Sequence, residues 1–494
     1  MGKVYLLGAG PGDEGLISVK AVKALEKCTA VMYDRLAGNF TLSYLNKDCK
    51  VFYCGKEPGS HYKTQDEIND MLVALAKEGH IVGRIKGGDP YVFGRGSEEA
   101  LRLYNEGIDF EVIPGITSAI SVLNYAGIPA THRKIAQSFH VFTGKSAKVL
   151  NINWNAAANL KGTLIFLMGL ESIDEIISNL ISNGMSKDTP CAVIREGTTS
   201  KQKKVTGTVS DISEKVKKAG FKSPCIIVMG EVVGFNEKLN WFEKKPLSGL
   251  NICVTRSKEQ AVKTRERLYD LGAEVTEINS IEVVDTSWNL QSYIDKLEEY
   301  DYIVFTSVNG VSTFFERLKK LEVDIRKIKA SFAAIGPATA EAIVDRGIIP
   351  LIVAEEFVAE ALFEKMKEYI KRGDRILLPR SKASRSYLHD ALKEYGCIVD
   401  EAHIYDIIEG NKPVEETFER VDIVLFTSPS TVKNMISMVG LDDIKKKTCI
   451  AIGPITSAEL EKNGINHHVC KEYTIDGVID KILELKEVVK CLQG

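Results

Sequence analysis

The sequence predicts an α/β protein with more than one sheet-containing unit. Glycine-rich stretches at 8–13 and 87–96 each follow a short apolar run, at 4–7 and 81–85, of the kind found in buried parallel strands. Glycine loops at the carboxyl ends of parallel strands are where open α/β sheets bind ligands. At 494 residues, the chain exceeds the roughly 250–300 residues at which a single core stops growing. We therefore expect several domains, the first of which binds a cofactor.

The composition excludes several classes of protein. A hydrophobic fraction of 44% and a charged fraction of 27% are ordinary for a globular chain, and the net charge of -3 indicates no attraction to nucleic acid or membrane. We find no apolar run of the ~20 residues that a membrane helix needs, and no signal peptide. The ten cysteines form no CxxC pair, so we expect reduced thiols without disulfides or metal. The expected location is the cytoplasm.

The chain divides into two halves at 235–249, a stretch with neither helical nor strand period. Before it, helical spacing at 16–27, 64–78 and 98–107 alternates with predicted strands. The predicted strands of the later part are at 138–143, 163–168, 190–194 and 225–228. This order predicts two α/β subdomains, about 1–115 and 116–240, then a linker at 241–249.

The second half contains an internal repeat with a spacing of about 120 residues. Residues 301–307 (DYIVFTS) return as 422–428 (DIVLFTS), and 334–339 (AIGPAT) return as 451–456 (AIGPIT). The spacing is far longer than that of a solenoid repeat. It predicts two similar α/β lobes with parallel sheets, whose loops face a cleft that encloses a ligand.

A nicotinamide cofactor is the first alternative for the loop at 8–13, because GAGPGD nearly matches GxGxxG. Asp13 stands where the third glycine belongs, and Pro11 is awkward in the tight pyrophosphate turn. No acidic residue follows a second strand at the usual distance. The nicotinamide interpretation is therefore disfavoured.

Motifs throughout residues 1–234 resemble the tetrapyrrole methylases, and among them the S-adenosylmethionine-dependent uroporphyrinogen-III C-methyltransferases. The matching stretches are 4–13, 33–36, 54–56, 65–69, 84–99, 114–119, 126–133, 168–169, 197–198 and 230–233. The resemblance implies S-adenosyl-L-methionine as methyl donor and methylation of uroporphyrinogen III at carbons 2 and 7. The product would be precorrin-2, a precursor of siroheme and cobalamin. Related methylases are commonly homodimers, so we expect a dimer through this half.

The same resemblance implies a set of cofactor-binding residues in which glycines allow close approach of the ligand to the backbone. They are Pro11, Gly87, Gly88, Asp89, Val92, Thr117, Ser118, Met168 and Gly197. For an isolated Met168 the alternative is a core filler.

Methyl transfer to a pyrrole carbon also needs control of protons. Asp34 and Lys56 match the family's proton acceptor and donor. Alternatively, Asp34 forms an ion pair and Lys56 binds a substrate carboxylate. Arg95 and Arg133 are predicted to bind substrate carboxylates, and Glu98 to contact a pyrrole N–H or orient Arg95.

Residues of about 249–490 resemble the uroporphyrinogen-III synthases. The resemblance implies cyclisation of hydroxymethylbilane with inversion of ring D, in a chain that crosses twice between its lobes. Lobe one would combine 250–284 with 406–494, and lobe two would span 285–405. The crossing segments are expected near Glu282 and Asp406.

In this half the resemblance implies that Tyr405 assists departure of the hydroxyl group and that Thr456 is a catalytic threonine. The structural alternatives are an inter-lobe strut for Tyr405 and a helix cap for Thr456. The predicted substrate-binding residues are Arg256, Thr306, Ser307, Arg380, Arg385, Thr427 and Ser428.

The predicted fold class is therefore α/β, with a methylase fold of two subdomains followed by a two-lobed synthase at 250–494. The predicted function is bifunctional, since the product of the second half is the substrate of the first. The alternative is a methylase for another tetrapyrrole, with a second half that senses a ligand without catalysis.

Overall fold

The structure is a computed structural model that describes residues 2–34, 38–46, 48–55, 64–145, 152–255, 258–278, 281–409 and 415–492. The described strands form four sheets, two in each half of the chain, and the predicted α/β class is confirmed. Within these ranges, every helix is too short or too polar to cross a bilayer.

The first sheet is wholly parallel and has the order β3-β2-β4-β1-β5. Its core contains Val4, Leu6, Leu72 and Leu103, each at most 1% exposed. Because the strands are parallel, all their carboxyl ends lie at one edge. The strands are β1 (Lys3–Gly8), β2 (Ala30–Tyr33), β3 (Lys50–Tyr53), β4 (Ile81–Lys86) and β5 (Asp109–Ile113), and the helices are α1 (Val19–Leu25), α2 (Gln65–Lys77) and α3 (Gly96–Asn105).

The second sheet is mixed, with the order β6-β7-β10-β8-β9. Both β7 and β8 are antiparallel to β10, which lies between them, so they run in the same direction. The edge strand β9 was not predicted. The elements are α4 (Ser118–Tyr125), β6 (Phe139–Thr143), α5 (Trp154–Asn159), β7 (Thr163–Leu167), α6 (Ile173–Ser182), β8 (Pro190–Arg195), β9 (Lys203–Thr208), α7 (Ile212–Lys218) and β10 (Cys225–Met229).

The third sheet, which with its helices we call lobe one, begins with β11 (Asn251–Val254), α8 (Lys258–Asp270) and β12 (Glu274–Glu277). The chain then leaves it to build the fourth sheet, called lobe two. Lobe two contains β13 (Ile281–Asp285), α9 (Gln291–Ile294), β14 (Tyr302–Phe305), α10 (Val308–Lys320), β15 (Ser331–Ala334), α11 (Pro337–Val344), β16 (Ile352–Val353), α12 (Ala359–Met366), β17 (Arg375–Ser381), α13 (Tyr387–Tyr395) and β18 (Ile398–Glu409).

The chain returns to lobe one for the remaining elements. They are α14 (Glu415–Glu419), β19 (Ile423–Phe426), α15 (Pro429–Val439), α16 (Leu441–Lys445), β20 (Thr448–Ala451), α17 (Pro454–Lys462), β21 (His467–Val469) and α18 (Ile475–Leu492). Short 3₁₀ helices complete the described chain at Glu14–Leu16, Asn39–Tyr44, Glu231–Phe235, Ser287–Leu290, Leu297–Glu299 and Ile325–Lys327.

The two lobes share one strand order, as the repeat predicts. Lobe one is ordered β12-β11-β19-β20-β21, and lobe two repeats this as β18-β17-β14-β15-β16 with β13 added outside β18. This added strand pairs antiparallel with β18, and Val284 lies opposite Asp406. The two crossing segments therefore lie side by side. The fourth sheet runs from Ile281 to Glu409, a few residues beyond the predicted 285–405.

The two halves of the chain are joined by polar contacts on lobe one. Lys201 Nζ donates to Asp422 Oδ2 at 2.8 Å, and Ser200 Oγ donates to Glu274 Oε2 at 2.9 Å. Arg265 of α8 forms an ion pair of 3.2 Å with Glu14. Asp422 and Glu274 lie at the amino ends of β19 and β12. The first half therefore contacts the amino ends of these strands. Arg265 also pairs with Glu277 at the carboxyl end of β12, so the contact extends along this edge strand.

Candidate active sites

Glycine-rich loops contact one another at the carboxyl edge of the first sheet. Gly88 N donates to Gly10 O at 2.6 Å, after β4 and β1 respectively. A methyl group on Gly115, which follows β5, would lie 2.1 Å from Gly88 O, so glycine is required there. The loops therefore form a cradle of bare backbone. Among the predicted cofactor residues, Pro11, Gly87 and Gly88 lie in these loops.

Asp89 fixes the shape of this cradle. Its Oδ2 accepts from Gly115 N at 3.1 Å and its Oδ1 from Tyr91 N at 2.8 Å. Thr117 caps α4, since its Oγ1 accepts from Ala119 N at 3.3 Å. Both predicted ligands thus already have backbone partners, and their contacts with a cofactor stay predictions. The other predicted members here are Ser118, the first residue of α4, and Val92, which is 37% exposed.

Met168 directly follows β7, and Gly197 lies just beyond the end of β8. Both residues are at one edge of the second sheet. Met168 has a φ of 56°, and the two neighbours of Gly197, Glu196 and Thr198, have φ of 47° and 69°. Positive φ is strained for residues other than glycine and is concentrated at functional sites. Phe93 and Arg95 of the loop at 87–96 share this conformation, with φ of 54° and 58°. The strained positions therefore coincide with the predicted cofactor segments.

Gly197→Ala is expected to weaken binding of S-adenosylhomocysteine. An added methyl group would lie 2.3 Å from Val122 Cγ1, so the segment and α4 must separate. Overpacking of this kind costs about 1–3 kcal/mol, or about 5- to 150-fold in an equilibrium constant. Calorimetric titration measures the change. The double variant with Val122→Ala should recover affinity, and Gly234→Ala, where a methyl group has nothing within 4 Å, should bind normally. Equal affinity in the single variant would contradict the prediction.

Asp34 lies at the carboxyl end of β2, on the same edge as the glycine loops. Its side chain is 30% exposed, and Arg84 Nη2 lies 3.4 Å from its Oδ2. Its structural partner is therefore an arginine of the adjacent strand β4. One carboxylate oriented by a buried cation and open to the edge is a suitable proton acceptor. The second predicted acid–base residue, Lys56, lies outside the described residues.

A buried charge cluster that the sequence analysis missed lies behind Asp34. Glu99 is fully buried, and its Oε1 accepts from Lys86 Nζ at 2.8 Å, Arg84 Nε at 3.1 Å and Gln65 Nε2 at 3.2 Å. Burial lowers the pKa of the Lys86 ammonium, and the Arg84 guanidinium lowers it further. The signal in the sequence was available: Arg84 and Lys86 alternate on one face of a strand that is otherwise apolar, which requires a buried carboxylate.

The predicted substrate arginines of the first half are both at the surface. Arg95 forms a two-bond pair with Glu98, Nε to Oε1 at 2.8 Å and Nη2 to Oε2 at 2.7 Å. The pair is compatible with the orienting role of Glu98, which stays a prediction. Arg133 is exposed. Its neighbour His132 stacks on Phe235 at 5.0 Å between ring centroids, which is a packing role.

The second half brings Tyr405 and Ser307 together at the carboxyl ends of lobe two. The Tyr405 hydroxyl lies 2.7 Å from Ser307 Oγ, and Tyr405 is 3% exposed. Burial raises the pKa of the Tyr405 phenol. Ser307 also caps α10 by accepting from Gly310 N at 3.0 Å. A neutral phenol is thus held at the end of the strand that carries Thr306 and Ser307.

The remaining predicted residues of the second half have internal partners. Arg380 is buried in an ion pair with Glu401, and its Nη1 donates to Arg385 O at 3.0 Å. Arg385 pairs with Glu360 through both guanidinium nitrogens, at 3.1 and 3.2 Å. These contacts account for both side chains without a ligand, so their substrate contacts stay predictions. Arg256 lies outside the described residues.

In lobe one, Ser428 caps α15 as Ser307 caps α10, accepting from Thr431 N at 3.3 Å. Thr427 directly precedes it and is half-buried. Thr456 lies in the first turn of α17 and is 3% exposed, but the cap residue of that helix is Gly453. The capping alternative for Thr456 is therefore wrong. Within the described ranges, no group of three or more His, Cys, Asp or Glu residues is arranged to hold a metal ion.

Comparison with known proteins gives one family for each half. Residues 3–213 match the Tetrapyrrole (Corrin/Porphyrin) Methylases and residues 262–480 match Uroporphyrinogen-III synthase HemD. The chain is 36% identical over 494 residues to the porphyrin biosynthesis protein HemD of Ruminiclostridium josui, covering 98% of each. It is 49% identical over 234 residues to the uroporphyrinogen-III C-methyltransferase of Methanocaldococcus jannaschii, covering 47% of this chain and 97% of that protein.

Among solved structures, the chain is similar to the uroporphyrin-III C-methyl transferase of Thermus thermophilus complexed with S-adenyl homocysteine. The two share 34% sequence identity with a TM-score of 0.41, over 47% of this chain and 99% of the other.

Proposed function

We propose that the two sites of this chain act in sequence through the residues described above. The premise is that the chain belongs to the porphyrin-biosynthesis proteins that join a tetrapyrrole methylase to a uroporphyrinogen-III synthase. The second half cyclises hydroxymethylbilane to uroporphyrinogen III with inversion of ring D. The first half methylates uroporphyrinogen III at carbons 2 and 7 to give precorrin-2. The observation that carries the assignment of the methylation site is the glycine cradle at the edge where Asp34 emerges.

S-adenosylmethionine supplies the electrophilic methyl group in this reaction. The glycines at 8, 88 and 115 suit such a folded ligand, because Gly8 and Gly115 let the loops pack backbone to backbone and Gly88 leaves its side-chain position open. Asp34 Oδ accepts the proton that a methylated ring must lose, and Arg84 orients this carboxylate. Arg95, held by Glu98, binds a substrate carboxylate at the rim.

Ring closure requires the enzyme to fold a linear tetrapyrrole rather than to supply strong acids or bases. Loss of the hydroxyl group as water gives an azafulvene, and Tyr405 donates the hydrogen bond that assists this departure. The raised pKa of Tyr405 keeps the phenol protonated as a donor. The Ser307 hydroxyl, 2.7 Å from that of Tyr405, orients the phenol.

Tyr405→Phe is expected to slow formation of uroporphyrinogen III by about 5- to 150-fold, because loss of a buried hydrogen-bond partner costs about 1–3 kcal/mol. The type I isomer, formed without ring inversion, should increase as unassisted closure competes. Initial rates and isomer ratios by chromatography measure both effects. Tyr302→Phe is the matched control, since this hydroxyl donates to Tyr369 O on the same lobe at 3.1 Å. A wild-type rate in Tyr405→Phe would contradict the catalytic role of the phenol and favour the alternative, a structural strut between the lobes.

One assay tests both activities. Hydroxymethylbilane is supplied to the full chain with and without S-adenosylmethionine, and the products are identified. We expect uroporphyrinogen III without the donor and the dimethylated product with it. If only the type I isomer formed, the synthase activity would be contradicted and a ligand-sensing role for the second half would be favoured. If the type III product stayed unmethylated in the presence of the donor, the proposed methylation would be contradicted and another tetrapyrrole would be favoured as the substrate of the first half.

The proposal includes a homodimer formed through the first half, in the cytoplasm. The dimer is supported by exposed apolar side chains beside the cofactor segment, since Ile116 and Ile120 are 42% and 40% exposed. The cytoplasm is supported by the free thiols of the described cysteines. Light scattering on the full chain, and on a variant with Ile116→Glu and Ile120→Glu, tests the dimer. We expect twice the chain mass, reduced to one chain in the variant.

A further inference from the structure

A buried carboxylate of the first half is hydrogen-bonded by a tyrosine of the second half. Asp13, 8% exposed, follows Gly12 in the loop at 8–13. Its Oδ1 accepts from the hydroxyl of Tyr269, a residue of α8 in lobe one, and from Gly15 N at 2.7 Å. Its Oδ2 accepts from the Tyr125 hydroxyl at 2.5 Å. One carboxylate therefore joins the cofactor loop to both halves of the chain.

The same carboxylate connects the segments that line the methyl-donor site. Tyr125 is the last residue of α4, the helix that begins with Ser118. Asp13 N donates to Thr198 Oγ1 at 3.3 Å, next to Gly197. Gln202 links the other two segments to each other. Its Nε2 donates to Tyr125 O at 3.1 Å, and its Oε1 accepts from Thr198 N at 2.9 Å. A movement at Asp13 is therefore transmitted to each of these segments.

The segment at 196–202 is itself held by the second half. Ser200 bonds to Glu274 and Lys201 bonds to Asp422, three and four residues after Gly197 respectively. On the other side of the loop at 8–13, Glu14 pairs with Arg265, one turn before Tyr269 on α8. The hydroxyl of Tyr269 lies so close to Gly15 that an added methyl group there would be 2.5 Å away. The contacts from the second half thus enclose the donor-site loops from two directions.

We propose that Tyr269 is a positioning residue for methyl transfer, through which the synthase half completes the S-adenosylmethionine site of the methylase half. This inference rests on the proposed function, because it takes the loops at 8–13 and 196–202 as the donor site. Tyr269 touches neither donor nor porphyrinogen and acts only through Asp13. The M. jannaschii methyltransferase, which the aligned 234 residues cover to 97%, has no length for such a second half. The device therefore belongs to the fused chain.

The test uses Tyr269→Phe in the full chain, with S-adenosylhomocysteine as the probe. A hydrogen bond to a charged group is worth about ten- to a hundredfold in an equilibrium, and part of this reaches the ligand. We expect the Kd for S-adenosylhomocysteine and the KM for S-adenosylmethionine to rise about 5- to 20-fold. The kcat at saturating donor, the KM for uroporphyrinogen III and the rate of ring closure should stay at the wild-type values. A general loss of structure would instead lower the kcat and the rate of ring closure.

Two further variants make the result specific. Gly15→Ala displaces the Tyr269 hydroxyl while keeping it, and should raise the same Kd. Asp476→Asn breaks an ion pair between α8 and α18, Arg267–Asp476, within the second half and should not change it. Wild-type Kd values in both Tyr269→Phe and Gly15→Ala would overturn the inference. If the wild-type chain itself bound no S-adenosylhomocysteine, the proposed function would fail instead, so the two failures are distinguishable.

Discussion

Asp34→Asn lowers the rate of C-methylation by about 10²- to 10⁴-fold while ring closure stays at the wild-type rate. The amide keeps the size of the side chain but cannot accept a proton. Arg84 keeps its second carboxylate partner, Glu99, so the cluster behind Asp34 is not dismantled. The measurement is single-turnover conversion of uroporphyrinogen III with saturating S-adenosylmethionine, and cyclisation of hydroxymethylbilane by the same preparation is the internal reference.

The matched control for Asp34→Asn is Asp70→Asn. Asp70 is an exposed carboxylate of α2 that also pairs with an arginine, Arg102, at 3.1 Å. Its variant should methylate at the wild-type rate. The alternative role of Asp34 is only to neutralise Arg84. In that case Asp34→Asn would lower the stability of the first half and leave the single-turnover rate unchanged.

Glu99→Gln is expected to destabilise the first half by about 3–5 kcal/mol, because it leaves the buried Lys86 without its carboxylate and Arg84 with Asp34 alone. Lys86 and Arg84 are 6% and 4% exposed in their side chains, so water does not replace the lost partner. The measurement is the urea midpoint at which S-adenosylhomocysteine binding is lost. Ring closure, followed in the same samples, reports the second half and should keep its midpoint.

Glu98→Gln is the control for Glu99→Gln, since the two residues are adjacent on α3. Glu98 is 49% exposed in its side chain and pairs only across the surface with Arg95. Exposed ion pairs contribute about 0–1 kcal/mol, so its urea midpoint should barely move. Equal shifts in the two variants would mean that the buried cluster is not what stabilises this sheet.

The sheets of this protein could be predicted because their signals are local. Apolar runs followed by glycines indicate parallel strands, and the strands predicted at 4–7 and 81–85 are confirmed as β1 and β4, which the structure pairs with Gly8 opposite Lys86. The repeat at 301–307 and 422–428 indicates the two lobes because it places β14 and β19 at equivalent positions. The antiparallel edge strand β9 was missed, since its sequence, KKVTGT, lacks an apolar run.

The side-chain contacts of the sites depend on residues far apart in the sequence, which periodicity does not relate. Asp13 and Tyr269 are separated by 256 residues, and Ser307 and Tyr405 by 98. The sequence placed Arg380 at the cleft but gave no sign that Glu401, on the neighbouring strand β18, would pair with it. Such pairings arise from sheet order, which is known only once the strands are assembled.

The first half docks on lobe one, at β12, α8 and the start of β19. The joining contacts fall on Glu274, Asp422, Arg265 and Tyr269, all of lobe one. Lobe two is joined to lobe one by the chain on either side of the paired strands β13 and β18, and by an exposed ion pair of 3.7 Å between Lys263 of α8 and Glu341 of α11. An opening of the cleft that breaks this ion pair and preserves the contacts of the first half would move lobe two relative to lobe one. In such a movement the methylase half would stay with lobe one, and the contacts of Glu274, Asp422, Arg265 and Tyr269 beside the donor site would be kept.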